Sequence, residues 1–209
     1  NNNVGGTTTQ LYIQDAQLEQ GLVATDYIET TTSAVYEGIT DNVPRLDYDG
    51  DCPSLLLEPQ RQNLVTDSEY FDGSFWQLGT NSTLSFVSDL NPSGTQGCYR
   101  LQNPASSSTY LASDSLGTIN NDSVFSVYVK SNTGSNQNFG LYYTTGSSTI
   151  TTFTATTEWQ RFQIDAPSGF VQIGINNETD AYSNDILIYG AQLEQGSYAT
   201  SYIPTYGTS

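Results

Sequence analysis

The sequence contains no histidine and no methionine, and lysine and arginine together number five against 22 aspartates and glutamates. At a net charge of −17, the chain has no basic stripe that could follow a phosphate backbone. The two cysteines, Cys52 and Cys98, are not arranged as C-x-x-C, so a tetrahedral zinc site lacks its ligands. They could pair in an oxidising compartment or stay free. We therefore expect neither a nucleic-acid partner nor zinc.

The patterns of membrane proteins and of common enzymes are also missing. No apolar run approaches the ~20 residues that span a bilayer, so we expect no membrane insertion. The sequence has no G-x-S-x-G, and without histidine the usual nucleophilic constellations are absent. A catalytic carboxylate pair could be drawn from Glu158, Glu178 and Asp180. Nothing in the sequence, however, indicates that two of these acids lie about 5–10 Å apart across a cleft. We expect no enzymatic activity.

Neutral polar residues and tyrosine take the place of charge. Charged residues make up 13% of the chain, which contains 15 tyrosines. This composition is typical of an extracellular β-protein whose solubility rests on neutral polar groups. From residue 83 onward, short runs of period-2 alternation are separated by turn residues, which predicts an all-β sandwich. The predicted strands are 83–88, 97–102, 109–113, 123–130, 138–144, 148–153, 159–164, 169–175 and 185–189.

Alternation within these runs assigns side chains to faces. In the run 123–130 one set of alternate residues faces the core, and the other set gives the strand one wet face. In the run 159–164 the inward set leaves Trp159 and Arg161 on the opposite face. The predicted core comprises Phe125, Val127, Val129, Phe162, Ile164, Ile186 and Ile188.

The pattern is weaker before residue 83. The best helical period lies in 52–64, but prolines bracket that run and limit it to about one turn. Residues 31–62 are predicted to form a linker or arm. Its apolar cluster Leu55, Leu56 and Leu57 would be an uncovered patch in water, so we expect the arm to make contacts.

A long internal repeat joins the two ends of the sequence. Residues 16–30 match residues 191–205 at eleven of fifteen positions, 175 residues apart. A single unit between the copies predicts tandem modules rather than a solenoid, whose repeats are typically about 20–50 residues. The predicted organisation is residues 1–30 as the terminal strand and exit loop of a preceding module or a docking strand, 31–62 as linker and arm, 63–205 as a jelly-roll sandwich and 206–209 as tail.

Several short motifs resemble segments of tailed-bacteriophage virion proteins. The first group combines an L-L-L-E-P-Q-R-Q-N-L run with S-E-Y-F and a following tryptophan. The motifs occupy residues 44–49, 55–64, 68–71, 76, 125–130, 157–161, 185–196 and 201–205. In those phage proteins such motifs lead into a jelly roll similar to family 4/9-type carbohydrate-binding modules. Each motif alone is weak, but their order is specific.

The resemblance implies a non-catalytic structural component of the virion: a fibre, another appendage or a decoration protein on the particle surface. Its partners would be other virion proteins. Phage fibres of this kind are commonly homotrimers whose arms wrap a shared axis, so the arm residues Leu55, Leu56 and Leu57 are the expected contacts between chains.

An alternative function is host adsorption through a bacterial surface glycan. Aromatic side chains flanked by Asn and Gln suit pyranose rings, and the candidate stacking residues are Trp76, Tyr142 and Trp159. Since aromatic residues favour strands, each of the three could equally be core or rim packing.

A structural calcium ion is a further expectation. In carbohydrate-binding jelly rolls of this type, calcium often lies between the N-terminal arm and the last strand. Asp185 begins the last predicted strand, and the candidate partners are Asp67, Glu69 and Asp180. Calcium takes six to eight oxygen ligands, which an acidic chain can supply, although these residues could equally be solvated turn acids.

Overall fold

The structure is a computed structural model that describes residues 45–47, 54–56, 58–104, 109–176 and 183–207. Residues 1–30, for which the repeat predicts a strand and an exit loop, lie outside the described residues. Every regular element in the described ranges is a β-strand, and no helix there is long and apolar enough to cross a membrane.

The chain divides into two compact units, residues 1–20 with 24–56 and residues 21–23 with 57–209. In the first unit, β1 (Arg45–Asp47) pairs antiparallel with β2 (Ser54–Leu56). The run that resembled one helical turn therefore contains a strand. The side chains of Leu55, Leu56 and Leu57 are outside the described part of the structure, so their predicted assembly role stays a prediction.

The second unit is a jelly-roll sandwich of two five-stranded antiparallel sheets. Its strands are β3 (Trp76–Leu78), β4 (Thr83–Leu90), β5 (Gln96–Asn103), β6 (Leu111–Ser113), β7 (Ser123–Ser131), β8 (Gln137–Thr144), β9 (Ser148–Ala155), β10 (Gln160–Ala166), β11 (Gln172–Ile175) and β12 (Asn184–Gln195). The first sheet has the order β10-β7-β12-β5-β4, and the second has the order β3-β6-β11-β8-β9. The all-β jelly-roll prediction is confirmed.

The core between the sheets contains the predicted inward residues. Six of the seven are buried, at 6% exposure or less. The seventh, Phe162, is half-buried and packs edge-on against Phe139, with 5.0 Å between ring centroids. Burying a large apolar side chain contributes about 1.5–3 kcal/mol, so this set is sufficient to fix the strand faces.

One expectation about β7 is wrong. Its outward residues Val124 and Ser126 are fully buried, so most of this strand has no wet face. The outer side is covered by other parts of the chain: the Arg161 guanidinium donates to the Ser126 hydroxyl and to the carbonyl of Thr200. Partial exposure returns towards the end of the strand, at Tyr128 and Lys130.

A bulge allows β12 to run the full length of the first sheet. The pairing of β12 with β7 shifts register between Tyr189 and Gln192, where Gly190 has φ +61°. The extra residue returns Ala191 to the core after Ile188. Gly190 therefore lies inside the strand rather than at its exit. That exit comes at Gly196, with φ +142°.

Candidate functional site

The outer face of the first sheet has a covered half and an open half. We call the covering segments, residues 58–68 and 190–205, the clasp. We call the exposed region formed by Arg100, Lys130, Asn132, Trp159 and Asp185 the open face. The clasp explains what several sequence motifs do, and the open face is the candidate binding site.

Asn63 is the centre of the clasp. Its side-chain amide donates to the carbonyls of Ala191 at 3.0 Å and Ile203 at 2.9 Å. Its side-chain oxygen accepts from the amides of Val65 at 3.1 Å and Leu193 at 3.0 Å. All four hydrogen-bonding sites of this buried amide are therefore used, and they join two motifs that lie more than 120 residues apart.

The exit loop after β12 is held by side chains of the strand itself. The buried Glu194 carboxylate accepts from the amide and the hydroxyl of Thr200, both at 2.7 Å. The Gln192 side-chain oxygen accepts from the amide of Ile203 at 2.7 Å. At Gly196 the φ of +142° favours glycine, and the guanidinium of Arg61 lies beside it. These contacts give physical roles to the repeated A-Q-L-E-Q-G sequence.

A buried carboxylate lies beside the clasp. Glu69 accepts from the hydroxyls of Tyr189 at 2.8 Å and Tyr202 at 3.2 Å. Burial raises the pKa of Glu69 above its ordinary value, and hydrogen bonds from these tyrosines and Tyr206 partly oppose that shift. Tyr202 also pairs with the Ser68 hydroxyl at 2.8 Å. The network is enclosed by protein, which indicates a structural role.

Strand register builds the open face. Leu187 of β12 lies opposite Lys130 of β7 on one side and opposite Arg100 of β5 on the other. The leucine is therefore flanked by one cationic residue on each neighbouring strand. Neighbouring strands are about 4.8 Å apart, so two strand spacings, about 10 Å, separate the backbones of these cations. This span is comparable with one or two sugar rings.

Trp159 supplies an aromatic surface at this face. Its indole nitrogen donates to the Leu90 carbonyl at 2.8 Å, and its ring packs against the buried cluster of Cys98, Leu187 and Tyr189. The side chain is partly exposed, and the Lys130 ammonium lies 5.9 Å from the ring centroid. The ring orientation is thus fixed from one side while part of its surface meets solvent.

Polar groups with defined partners complete the open face. Arg100 donates to both oxygens of Asp185, at 2.8 and 2.6 Å, and the Asn132 amide donates to the same carboxylate at 3.2 Å. This pairing with Arg100 lowers the pKa of Asp185. The side chains of Arg100 and Asp185 are 34% and 20% exposed, so both can reach a ligand.

Positive charge is concentrated on this side of the protein. Three of the five cationic residues of the chain, Arg100, Lys130 and Arg161, lie on the outer face of the first sheet. Arg161 belongs to the covered half, where it holds Ser126 and Thr200. Arg100 is paired with Asp185. Among the described residues, no carboxylate forms an ion pair with Lys130.

The three predicted stacking residues are placed very differently. Trp76 is buried in the core, 7% exposed, and its indole nitrogen donates to the Asp67 carbonyl at 2.9 Å. Tyr142 lies on the outward side of β8 but is 4% exposed, and its ring lies over Gly174 of the neighbouring strand. Neither ring offers a face to a ligand in this conformation. Of the three, Trp159 is the one whose side chain is partly exposed.

The described calcium candidates do not come together, and Asp180 lies outside the described residues. Asp67 accepts from the amide of Phe75 at 3.2 Å, Glu69 lies among tyrosine hydroxyls, and Asp185 is paired with Arg100. Within the described ranges, no group of three or more acidic or cysteine side chains could hold a metal ion. A cation at Asp185 would have to displace the guanidinium. The Cys98 thiol is free and buried, and burial raises its pKa to about 11.

No protein-family model matches the chain, and no curated protein matches it. Solved structures do match. An exo-β-agarase aligns with a TM-score of 0.52 at 11% identity, covering 66% of this chain and 26% of that chain. The CBM22-1-GH10 modules of xylanase 10B from Clostridium thermocellum align with a TM-score of 0.47 at 18% identity, covering 68% and 29%. The CBM22-1 xylan-binding domain of Xyn10C from Paenibacillus barcinonensis aligns with a TM-score of 0.48 at 13% identity, covering 67% and 95%.

These likenesses concern the fold. The alignments span 26% of the agarase chain and 29% of the xylanase chain. At these low identities, the activity of a neighbour does not transfer to this chain. Its function has to be argued from its own open face.

Proposed function

We propose that the protein is a non-catalytic carbohydrate-binding module whose glycan stacks on Trp159 at the open face. The observation that carries the proposal is a partly exposed indole, fixed by its hydrogen bond to the Leu90 carbonyl and bordered by the Lys130 ammonium. A pyranose presents an apolar C–H face and a rim of hydroxyl groups. An aromatic surface beside charged and amide groups matches both parts.

Preorganisation favours this surface as a binding site. Arg100, Asp185 and Asn132 are already joined by hydrogen bonds, so little side-chain entropy remains to be lost when a sugar hydroxyl binds among them. The carboxylate can accept from a hydroxyl while the guanidinium and amide donate. Both kinds of partner that a sugar hydroxyl needs are therefore on the same face of the sheet as the ring.

A glycan array probed with the full chain tests the proposal. Trp159→Ala should weaken binding about thirtyfold, because truncating an aromatic anchor commonly costs about 2 kcal/mol or more. Trp159→Phe should retain part of the affinity, since it keeps an aromatic face. Tyr198→Ala is the matched control, because Tyr198 is 48% exposed and lies outside the open face. Binding that survives Trp159→Ala, or absence of any glycan signal, would contradict the proposal.

A second proposal concerns where the module works. We propose that it is carried on the surface of a tailed-phage virion as a fibre, appendage or decoration protein, with other virion proteins as partners and trimeric assembly. The ordered motifs between residues 44 and 205 and the 175-residue repeat support this location. Light scattering of the purified chain tests the assembly: a stable monomer would count against the trimer. Imaging of virions with an antibody against the chain tests the location.

A further inference from the structure

The Lys130 corner of the open face combines an aromatic ring with a cation that forms no ion pair with a carboxylate of the described residues. In a chain of net charge −17, cations are scarce, and the others described nearby have partners: Arg100 holds Asp185, and Arg161 holds Ser126 and Thr200. The Lys130 ammonium lies over the Trp159 ring, 5.9 Å from its centroid.

Acidic neighbours do not neutralise this ammonium. Asp89 and Glu158, the sequence neighbours of Leu90 and Trp159, are exposed and form no ion pair with Lys130. The Lys130 side chain is partly exposed, and its ammonium lies over the Trp159 ring.

A sugar that stacks on Trp159 must contact this ammonium and remove part of its water. A neutral sugar would replace the lost water around the ammonium with hydroxyl dipoles alone. A ligand with its own negative charge would instead compensate the free-energy cost of desolvating the ammonium. The single ammonium matches one negative charge. A phosphate dianion would leave excess negative charge beside an already acidic protein.

We propose that the open face selects an acidic sugar, a hexuronate whose carboxylate pairs with Lys130 while its ring stacks on Trp159. This inference rests on the proposed function and adds the class of glycan. Long-range repulsion from the acidic protein is screened within about 10 Å at ~0.1 M salt, so the local pair decides the preference under physiological conditions.

The test uses an array on which each uronate-containing oligosaccharide is printed beside its carboxyl-reduced, neutral counterpart. The full chain should bind the acidic member about tenfold more tightly, because only that member adds a charge-assisted hydrogen bond to the Lys130 ammonium. Lys130→Gln should remove this preference and Lys130→Arg should keep it. Raising sodium chloride from ~50 to ~500 mM should reduce it.

A charge-matched control separates local from general electrostatics. Asn138→Asp changes the net charge by the same amount as Lys130→Gln, but it lies on the exposed side of the second sheet and keeps its acceptor for Thr154. It should leave the preference intact. Equal binding of the acidic and neutral members, or a preference unchanged by Lys130→Gln, would overturn the inference while the glycan-binding proposal stands. Absence of binding to both members throughout the array would overturn both.

Discussion

Replacing Asn63 tests how much the clasp stabilises the domain. Asn63→Ala removes two donors and two acceptors from a site where the side chain is 1% exposed. The carbonyls of Ala191 and Ile203 and the amides of Val65 and Leu193 lose their partner together. Water cannot replace the side chain without opening the clasp.

The magnitude follows from four hydrogen bonds in a dry site. Each contributes about 0.5–1.5 kcal/mol net, and each buried group left unsatisfied costs about 1–3 kcal/mol. These terms overlap, so we expect a loss of about 4 kcal/mol in the free energy of unfolding. With a urea m-value of about 2 kcal/mol/M, the unfolding midpoint should fall by about 2 M.

Urea unfolding followed by tryptophan fluorescence measures the shift, and Asn120→Ala, at an exposed position, is the matched control. Asn63→Asp is an informative third variant, because it keeps both acceptors and loses both donors. It should also be strongly destabilised. If Asn63→Ala moves the midpoint no further than Asn120→Ala does, the clasp is not a stabilising element and the reasoning fails.

Two further variants test individual contacts. Because burial raises the pKa of Glu69 in the folded state, its carboxylate destabilises the fold at neutral pH, and this cost is relieved as pH falls through the folded pKa. Glu69→Gln should therefore raise the free energy of unfolding at neutral pH more than at about pH 4.5, measured by urea titration; a variant less stable at neutral pH would contradict this sign. Gly174→Ala would place a Cβ atom 2.5 Å from the Tyr142 ring and 2.6 Å from the Leu111 carbonyl oxygen. The substitution should lower the free energy of unfolding by about 2 kcal/mol and the Tm by about 6 °C in calorimetry. An unchanged Tm would show that the neighbouring strands can move apart at little cost.

Much of the fold was predictable because the sandwich strands have one continuous inward face. All nine predicted strands correspond to observed strands within a few residues, and the inward sets of β7, β10 and β12 were correct. The strand β3 was missed because three residues are too short for alternation to be read. The bulge at Gly190 was missed because a glycine after a β-run looks like its end, while here positive φ continues the strand.

The site was less predictable because it depends on register and on distant contacts. The sequence placed Trp159 on the outward face but could not place it beside Lys130, since their proximity follows from the pairing of β10 with β7. The burial of Trp76 could not be predicted, because it depends on the hydrogen bond from its indole nitrogen to the Asp67 carbonyl. The covering of Ser126 by Arg161 and Thr200 likewise joins residues far apart in sequence.

The position of β12 determines when the domain can fold. This last strand of the sequence lies in the middle of the first sheet, between β7 and β5, so neither neighbour has its central partner until residues 184–195 have been synthesised. Pairing over such long separations is slow, because loop-closure entropy is lost before the contacts form. During translation, β5 and β7 each carry an unpaired edge, the state in which β-proteins aggregate most readily. The nascent chain therefore depends on rapid completion, or on protection of those two edges, until the final strand inserts.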